Sequence, residues 1–105
     1  MQQFLYRLQA TRLGMLTEEP TPSEDSIVGE HFAHIQGLAA KGVVLVAGRT
    51  LNNDERTFGI VVFLAENETE AAAIVQADPA VAGGVMKAEL FPFWAAAWSS
   101  KIQVQ

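Results

Sequence analysis

The sequence predicts a single α+β domain whose elements follow the order β-α-β-β-α-β. Three observations lead to this prediction: an alternating apolar segment at 3–9, two helices with clear start signals, and two apolar segments at 43–47 and 58–64. The chain has 105 residues, the length of one domain. Half of them are hydrophobic, so a core can form without disulfides or metal ions.

The first strand is predicted at residues 3–9, where apolar side chains alternate with polar ones. Residues 11–22 contain a glycine and two prolines, and we expect a loop there. A helix then begins at Thr21, because Thr21 and Glu24 have the spacing of a capping box, and it ends near Gly42. Its inward side chains are expected to be Ile27, His31, His34, Ile35 and Leu38.

The segments at 43–47 and 58–64 are apolar on both faces, which predicts two fully buried strands. The polar turn between them at 52–55 predicts that they form a hairpin. A second helix follows from Asn67 to Asp78, because the residue before a proline disfavours helical geometry. The inward residues of this helix are expected to be Ala71, Ile74 and Val75.

The last strand is predicted at 85–91, and Pro92 at its end is typical of an edge strand. Right-handed crossovers would place both helices on one side of the sheet, which gives a ferredoxin-like unit. The other face, which also has apolar residues, would then need a cover, and a second copy of the chain is the simplest one. We therefore expect a homodimer of a domain at 1–94, with the tail at 95–105 at the dimer interface and Trp94 and Trp98 in contact with the partner.

Composition excludes several classes of function. The net charge is −5 and the basic residues are scattered, whereas nucleic-acid binding requires a basic surface. No apolar segment reaches the roughly 18 residues of a membrane span. The first residues lack the basic start and apolar stretch of a signal peptide, so a cytoplasmic protein is expected. The absence of cysteine removes thiolate nucleophiles and cysteine-bound metals.

Three segments have a characteristic order and spacing: His31 to Ile35 with Gly48 following, then 78–81, and finally 91–93. Together they resemble the YCII-related (YciI-like) family over about Phe4 to Phe93. The resemblance implies a dimeric α+β barrel built from two ferredoxin-like units. It also implies a candidate site formed by a histidine and an aspartate, which correspond to His31 and Asp78.

His31 and Asp78 are the candidate catalytic residues. An aspartate can orient an imidazole, which then acts as a general base or acid. No nucleophile in a suitable context accompanies them, so a lyase or isomerase reaction is favoured over acyl transfer. The alternative is a core histidine held by one structural hydrogen bond, with Asp78 as an ordinary residue at a helix end.

Arg12, Arg49 and His34 are the candidate substrate-binding residues. A guanidinium can bind a carboxylate or phosphate with two hydrogen bonds, although either arginine could instead be an ordinary surface residue. His34 lies three residues after His31 and could face the same ligand. We predict no metal site, because a third ligand is missing locally, and no cofactor.

Two functions remain open from the sequence. The first is a small enzyme that acts on a small anionic or ring-shaped substrate by general acid–base catalysis. The second is a non-catalytic dimeric protein that binds a small molecule. A contact between His31 and Asp78 beside a cavity would favour the enzyme, and a histidine sealed among apolar side chains would favour the binding protein.

Overall fold

The computed structural model describes residues 1–102 and has the predicted order of strands and main helices. It adds two one-turn helices to them. The elements are β1 (Gln2–Ala10), α1 (Gly14–Thr17), α2 (Pro22–Ala40), β2 (Val44–Arg49), β3 (Gly59–Ala65), α3 (Glu68–Ala77), α4 (Pro79–Ala82) and β4 (Met86–Pro92).

The four strands form one antiparallel sheet in the order β2-β3-β1-β4. β2 and β3 pair as the predicted hairpin, and β4 is an edge strand, as Pro92 indicated. This arrangement is the ferredoxin-like α+β fold. It brings β1 and β3 to the centre, where Phe4, Tyr6 and Phe63 are the largest buried apolar side chains.

The start of α2 confirms the predicted capping box. The Thr21 hydroxyl accepts a hydrogen bond from the Glu24 amide, and the Glu24 carboxylate accepts one from the Thr21 amide. At the other end Gly42 has a φ of 77°, a conformation that glycine adopts without strain. The inward residues are also confirmed, since His31 and Ile35 are buried and Ile27, His34 and Leu38 are half-buried.

The region between β1 and α2 differs from the prediction of a loop. Residues Gly14–Thr17 form one helical turn, α1, and Met15 within it is buried. Glycine and proline in this segment suggested only irregular backbone. The apolar side chain of Met15 instead favours a turn that places it against the rest of the chain.

β2 differs from the prediction of a strand buried on both faces. Within the single chain Val44 is buried, whereas the residues from Leu45 to Arg49 are exposed. The reason is position in the sheet, because β2 is an edge strand and has a neighbour on one side alone. β3 lies inside the sheet, and its residues are buried or half-buried as predicted.

The face of the sheet opposite the helices carries an apolar row across all four strands. Strand pairing aligns Val46 with Val62, Val62 with Leu5, and Leu5 with Phe91. The two ends of the row are open to solvent in the single chain, at 37% for Val46 and 43% for Phe91. Between these ends Val62 is 5% exposed and Leu5 is half-buried, although the helices pack on the other face.

The tail after β4 has no regular secondary structure up to Ile102. Its start is attached to β1, because the amides of Phe93 and Ala95 donate hydrogen bonds to the backbone and side-chain oxygens of Gln3. Trp94 and Trp98 are 77% and 83% exposed. Residues 103–105, the end of the tail expected at the dimer interface, lie outside the described part. Among residues 1–102, no helix is long and apolar enough to cross a membrane.

Candidate active site

Asp78 lies at the junction of α3 and α4, where local sequence decides its conformation. Pro79 disfavours helical geometry in the residue before it, so Asp78 is extended, with φ −64° and ψ 122°. The same residue ends α3 and caps α4, because its Oδ1 accepts a hydrogen bond of 2.9 Å from the Ala80 amide. This turn directs the carboxylate into the interior, where Asp78 is 0% exposed.

The Asp78 carboxylate accepts three hydrogen bonds inside the protein. The Tyr6 hydroxyl donates to Oδ2 over 2.6 Å, and His31 Nδ1 lies 2.7 Å from Oδ1, which also accepts from the Ala80 amide. The predicted contact between His31 and Asp78 is therefore present. A carboxylate can only accept, so the proton between the two residues belongs to Nδ1 of the imidazole.

Opposing effects act on the pKa of Asp78. Burial would raise it, but the hydrogen bonds from His31, Tyr6 and the Ala80 amide outweigh burial and hold the pKa below its usual value. Burial, followed by the hydrogen bond to Asp78, raises the pKa of Tyr6. Asp78 is therefore an anion at neutral pH, and Tyr6 is a neutral hydroxyl that donates to it.

The second nitrogen of His31, Nε2, is free to act on a ligand. His31 is 8% exposed and lines a cavity between α2 and the sheet. Nε2 has no hydrogen-bond partner among the described residues. No side-chain nitrogen or oxygen of these residues is both fully buried and without a partner, so solvent reaches Nε2. In the neutral ring with its proton on Nδ1, Nε2 carries the lone pair that a general base requires.

The cavity has a volume of about 630 Å³, enough for a small ring compound. Most of its lining is apolar and comes from α2, β2, β3 and the segment with α1. The apolar wall includes Leu8, Met15, Val28, Phe32, Ile35 and Val61. The polar or charged side chains on the wall are Asp25, His31, Gln36, Arg49 and Thr57.

Arg49 is the predicted arginine that the fold places at the cavity. Its Nε donates to the Thr50 carbonyl oxygen over 2.9 Å, and its Nη2 donates to Asn53 Oδ1 over 2.6 Å. Both acceptors are neutral, whereas the other three arginines of residues 1–102 pair with carboxylates. The guanidinium is thus held in one direction while its charge stays unpaired within the described chain.

Arg12 has a different position and contact. Its guanidinium binds Glu24 with two hydrogen bonds of 3.0 and 2.6 Å, and Arg12 does not line the cavity. These bonds, together with the Thr21 amide, lower the pKa of Glu24 to about 2. Arg12 therefore joins the segment before α1 to the start of α2, and the structure gives it no free donor pair directed at a ligand.

His34 is half-buried on α2 and lies outside the cavity lining, so the fold does not bring it to the same ligand as His31. Conversely, Tyr6 lies on the apolar face of the strand predicted at 3–9 and proves to be the partner of Asp78. A signal for this existed in the sequence. A tyrosine on the buried face of a strand needs a partner for its hydroxyl, and few polar side chains were expected inside.

Comparisons with known proteins agree with this fold. None of the curated proteins matches the sequence. Among solved structures, the chain is similar to 5-chloro-2-hydroxyhydroquinone dehydrochlorinase (TftG) from Burkholderia phenoliruptrix AC1100, in complex with 2,5-dihydroxybenzoquinone. The TM-score is 0.62 at 19% identity, covering 87% of this chain and 93% of that one, which shows a shared fold. The sequence model of the YCII-related domain matches residues 10–94, so the chain belongs to the YCII-related family.

Proposed function

We propose that this protein is a small enzyme in which His31 acts as a general base on a small ring-shaped substrate with an acidic group. The observation that carries the proposal is the arrangement of one imidazole. Asp78, buried and ionised, binds Nδ1 of His31, while the same ring lines an apolar cavity and its Nε2 has no partner among the described residues. A purely structural histidine would need no cavity beside its ring.

The cavity supports a substrate that is apolar over most of its surface. Its walls would bury a ring, and Arg49 would bind a carboxylate or phenolate at one end of it. Binding of this anion by Arg49 would also hold the ring in place, so that a neighbouring C–H or O–H bond can lie beside His31. The proposed substrate class is therefore a small ring acid rather than a sugar or a peptide.

Elimination or isomerisation fits the groups present. In an elimination, Nε2 takes a proton from carbon, the C–H electron pair forms the new double bond, and the leaving group departs with its own bonding pair. Asp78 stabilises the imidazolium that results. The similar structure is that of a dehydrochlorinase bound to a dihydroxybenzoquinone, which is consistent with elimination on a hydroxylated ring.

The substrate class can be tested with pairs of ring compounds that differ in one carboxylate or phenol group. We expect the acidic member of each pair to bind, as measured by calorimetry, and some acidic members to be turned over. Replacing Arg49→Gln should weaken binding of the acids roughly ten-fold or more, because a charged hydrogen bond is lost, and should leave neutral rings unaffected.

Arg56→Gln is a matched control for this substitution. Arg56 is exposed, pairs with Asp54 and lies outside the cavity lining. Equal weakening in both variants would mean that overall charge, and not Arg49, attracts the acids. Binding without turnover of any acid would instead favour a non-catalytic binding protein.

We also propose that the protein is a homodimer joined through the apolar row of Val46, Val62, Leu5 and Phe91. Light scattering at micromolar concentration should give about twice the chain mass of 11.4 kDa. Replacing Leu5→Glu, which places a charge at the centre of the row, should give monomers. Replacing Gln9→Glu, a charge on the same strand outside the row, should leave the mass unchanged. A stable wild-type monomer would contradict the proposal.

The tail is proposed to contact the partner subunit, since Trp94, Trp98 and Ile102 expose large apolar surfaces in the single chain. Deleting 96–105 keeps Ala95, which binds Gln3, and removes most of this surface. We expect the shortened chain to dissociate at a higher concentration than the full chain in dilution experiments. An unchanged dissociation constant would show that the tail belongs to its own subunit.

A further inference from the structure

We infer that Tyr6 is a positioning residue of the proposed site, because its hydroxyl controls how strongly Asp78 binds the Nδ1 proton of His31. The inference rests on the proposed function for its catalytic meaning. Its physical content is independent of that function, because it concerns a chain of two hydrogen bonds: from Tyr6 to Oδ2 of Asp78, and from Oδ1 of Asp78 to His31.

The position of the Tyr6 hydroxyl is fixed by packing. Tyr6 is 1% exposed at the centre of the sheet, and its ring contacts Phe63 edge to face with centroids 5.6 Å apart. The ring cannot turn away without disturbing the core. The hydroxyl therefore holds Oδ2, which in turn directs Oδ1 toward His31, although Tyr6 and Asp78 are 72 residues apart in sequence.

Tyr6 and His31, two of the three donors to Asp78, compete for the same negative charge. A donor at Oδ2 withdraws electron density from the carboxylate, so Oδ1 becomes a weaker acceptor for His31. Removing the Tyr6 hydroxyl should strengthen the bond between Oδ1 and Nδ1–H, and a more acidic phenol should weaken it. A purely structural role for Tyr6 would change stability without producing this pair of opposite effects.

The composition of the chain makes the experiment specific. Tyr6 is the one tyrosine in the sequence, so biosynthetic incorporation of a fluorotyrosine, with fluorine beside the hydroxyl, changes this residue alone. The chain has two histidines, and the variant His34→Gln assigns the ring signals of His31. The Nδ1 proton of His31 can then be followed by NMR in the full-length protein without any substrate.

We expect the Nδ1 proton to move downfield in Tyr6→Phe, where the bond to Asp78 strengthens, and upfield in the fluorotyrosine protein, where it weakens. The fluorotyrosine protein keeps every hydrogen bond, so it remains informative if Tyr6→Phe does not fold. Phe4→Leu is the matched control, because Phe4 is buried on the same face of β1 and makes no polar side-chain contact.

Opposite shifts in the two Tyr6 proteins, absent in Phe4→Leu, would support the inference. If Tyr6→Phe does not fold, the fluorotyrosine protein decides alone: an upfield shift supports the inference and any other result overturns it. Unchanged positions, or shifts in the same direction in both proteins, would overturn the role of Tyr6. None of these results depends on turnover, so a failure of the proposed enzyme function would appear separately, as inactivity of a protein with the expected NMR shifts.

Discussion

Replacing His31→Asn is expected to reduce kcat strongly while the protein stays folded. The amide nitrogen of asparagine can lie near the position of Nδ1 and donate to Asp78, so the buried carboxylate keeps its partner. The group at the position of Nε2 is lost, and with it the base. General acid–base catalysis contributes about 10²–10⁴-fold, and the loss in kcat should fall in that range.

His34→Asn is the matched control, since His34 lies on the same helix three residues away and outside the cavity lining. It should retain both fold and kcat. The measurement is kcat for an acid identified in the ring-compound panel, with circular dichroism to confirm folding. Full activity of His31→Asn would exclude His31 as the base, and unfolding of this variant alone would indicate a structural histidine.

Replacing Asp78→Ala is expected to give a larger loss of stability than other single substitutions at helix ends. It leaves the Tyr6 hydroxyl, the His31 ring and the Ala80 amide without their buried acceptor. Removing one partner of a buried charged network costs about 3–5 kcal/mol in the free energy of unfolding. Urea unfolding followed by circular dichroism, at one fixed protein concentration, measures this loss.

Asn67→Ala separates the capping contribution from that of the buried network. Asn67 caps α3 at the surface, where its side chain accepts a hydrogen bond from the Glu70 amide. Loss of such a cap costs about 1 kcal/mol. If Asp78→Ala were no more destabilising than Asn67→Ala, Asp78 would be an ordinary cap and its bonds to Tyr6 and His31 would add nothing to stability.

The lowered pKa of Asp78 also predicts a pH dependence of stability. An aspartate has a pKa of about 3.9 in the unfolded chain, and that of Asp78 in the folded protein is lower. Its contribution is therefore present above about pH 4 and is lost as the pH falls through the folded value. The free energy of unfolding should decrease more steeply below pH 4 in the wild type than in Asp78→Asn.

Other carboxylates, such as Glu24, titrate in the same range in both proteins, so the difference between the two curves isolates residue 78. Parallel curves would show that Asp78 has the same proton affinity in the folded and unfolded chains. A wild-type curve that decreases less steeply than that of Asp78→Asn would mean that burial dominates and that the folded pKa is raised.

The sequence by itself determined the order of elements and most of their ends, because the signals for them are local. The capping box at Thr21 and Glu24, the glycine after α2 and the proline after Asp78 act through neighbouring backbone atoms. Apolar periodicity identified the buried faces of both long helices. The pairing of His31 with Asp78 came from family resemblance, since 47 residues separate them and no local pattern links them.

The tertiary structure alone decided which candidates share the site. Arg12 and Arg49 are equivalent as residue types, yet sheet register places Arg49 at the cavity. Arg12 instead binds the carboxylate of Glu24 on α2. Strand order likewise places β2 at the edge of the sheet and leaves it exposed, although its composition is that of a buried strand. The contact of Tyr6 with Asp78 depends on the packing of α3 and α4 against the sheet. Such contacts arise between residues far apart in the chain, so they depend on the whole fold and not on the sequence around either partner.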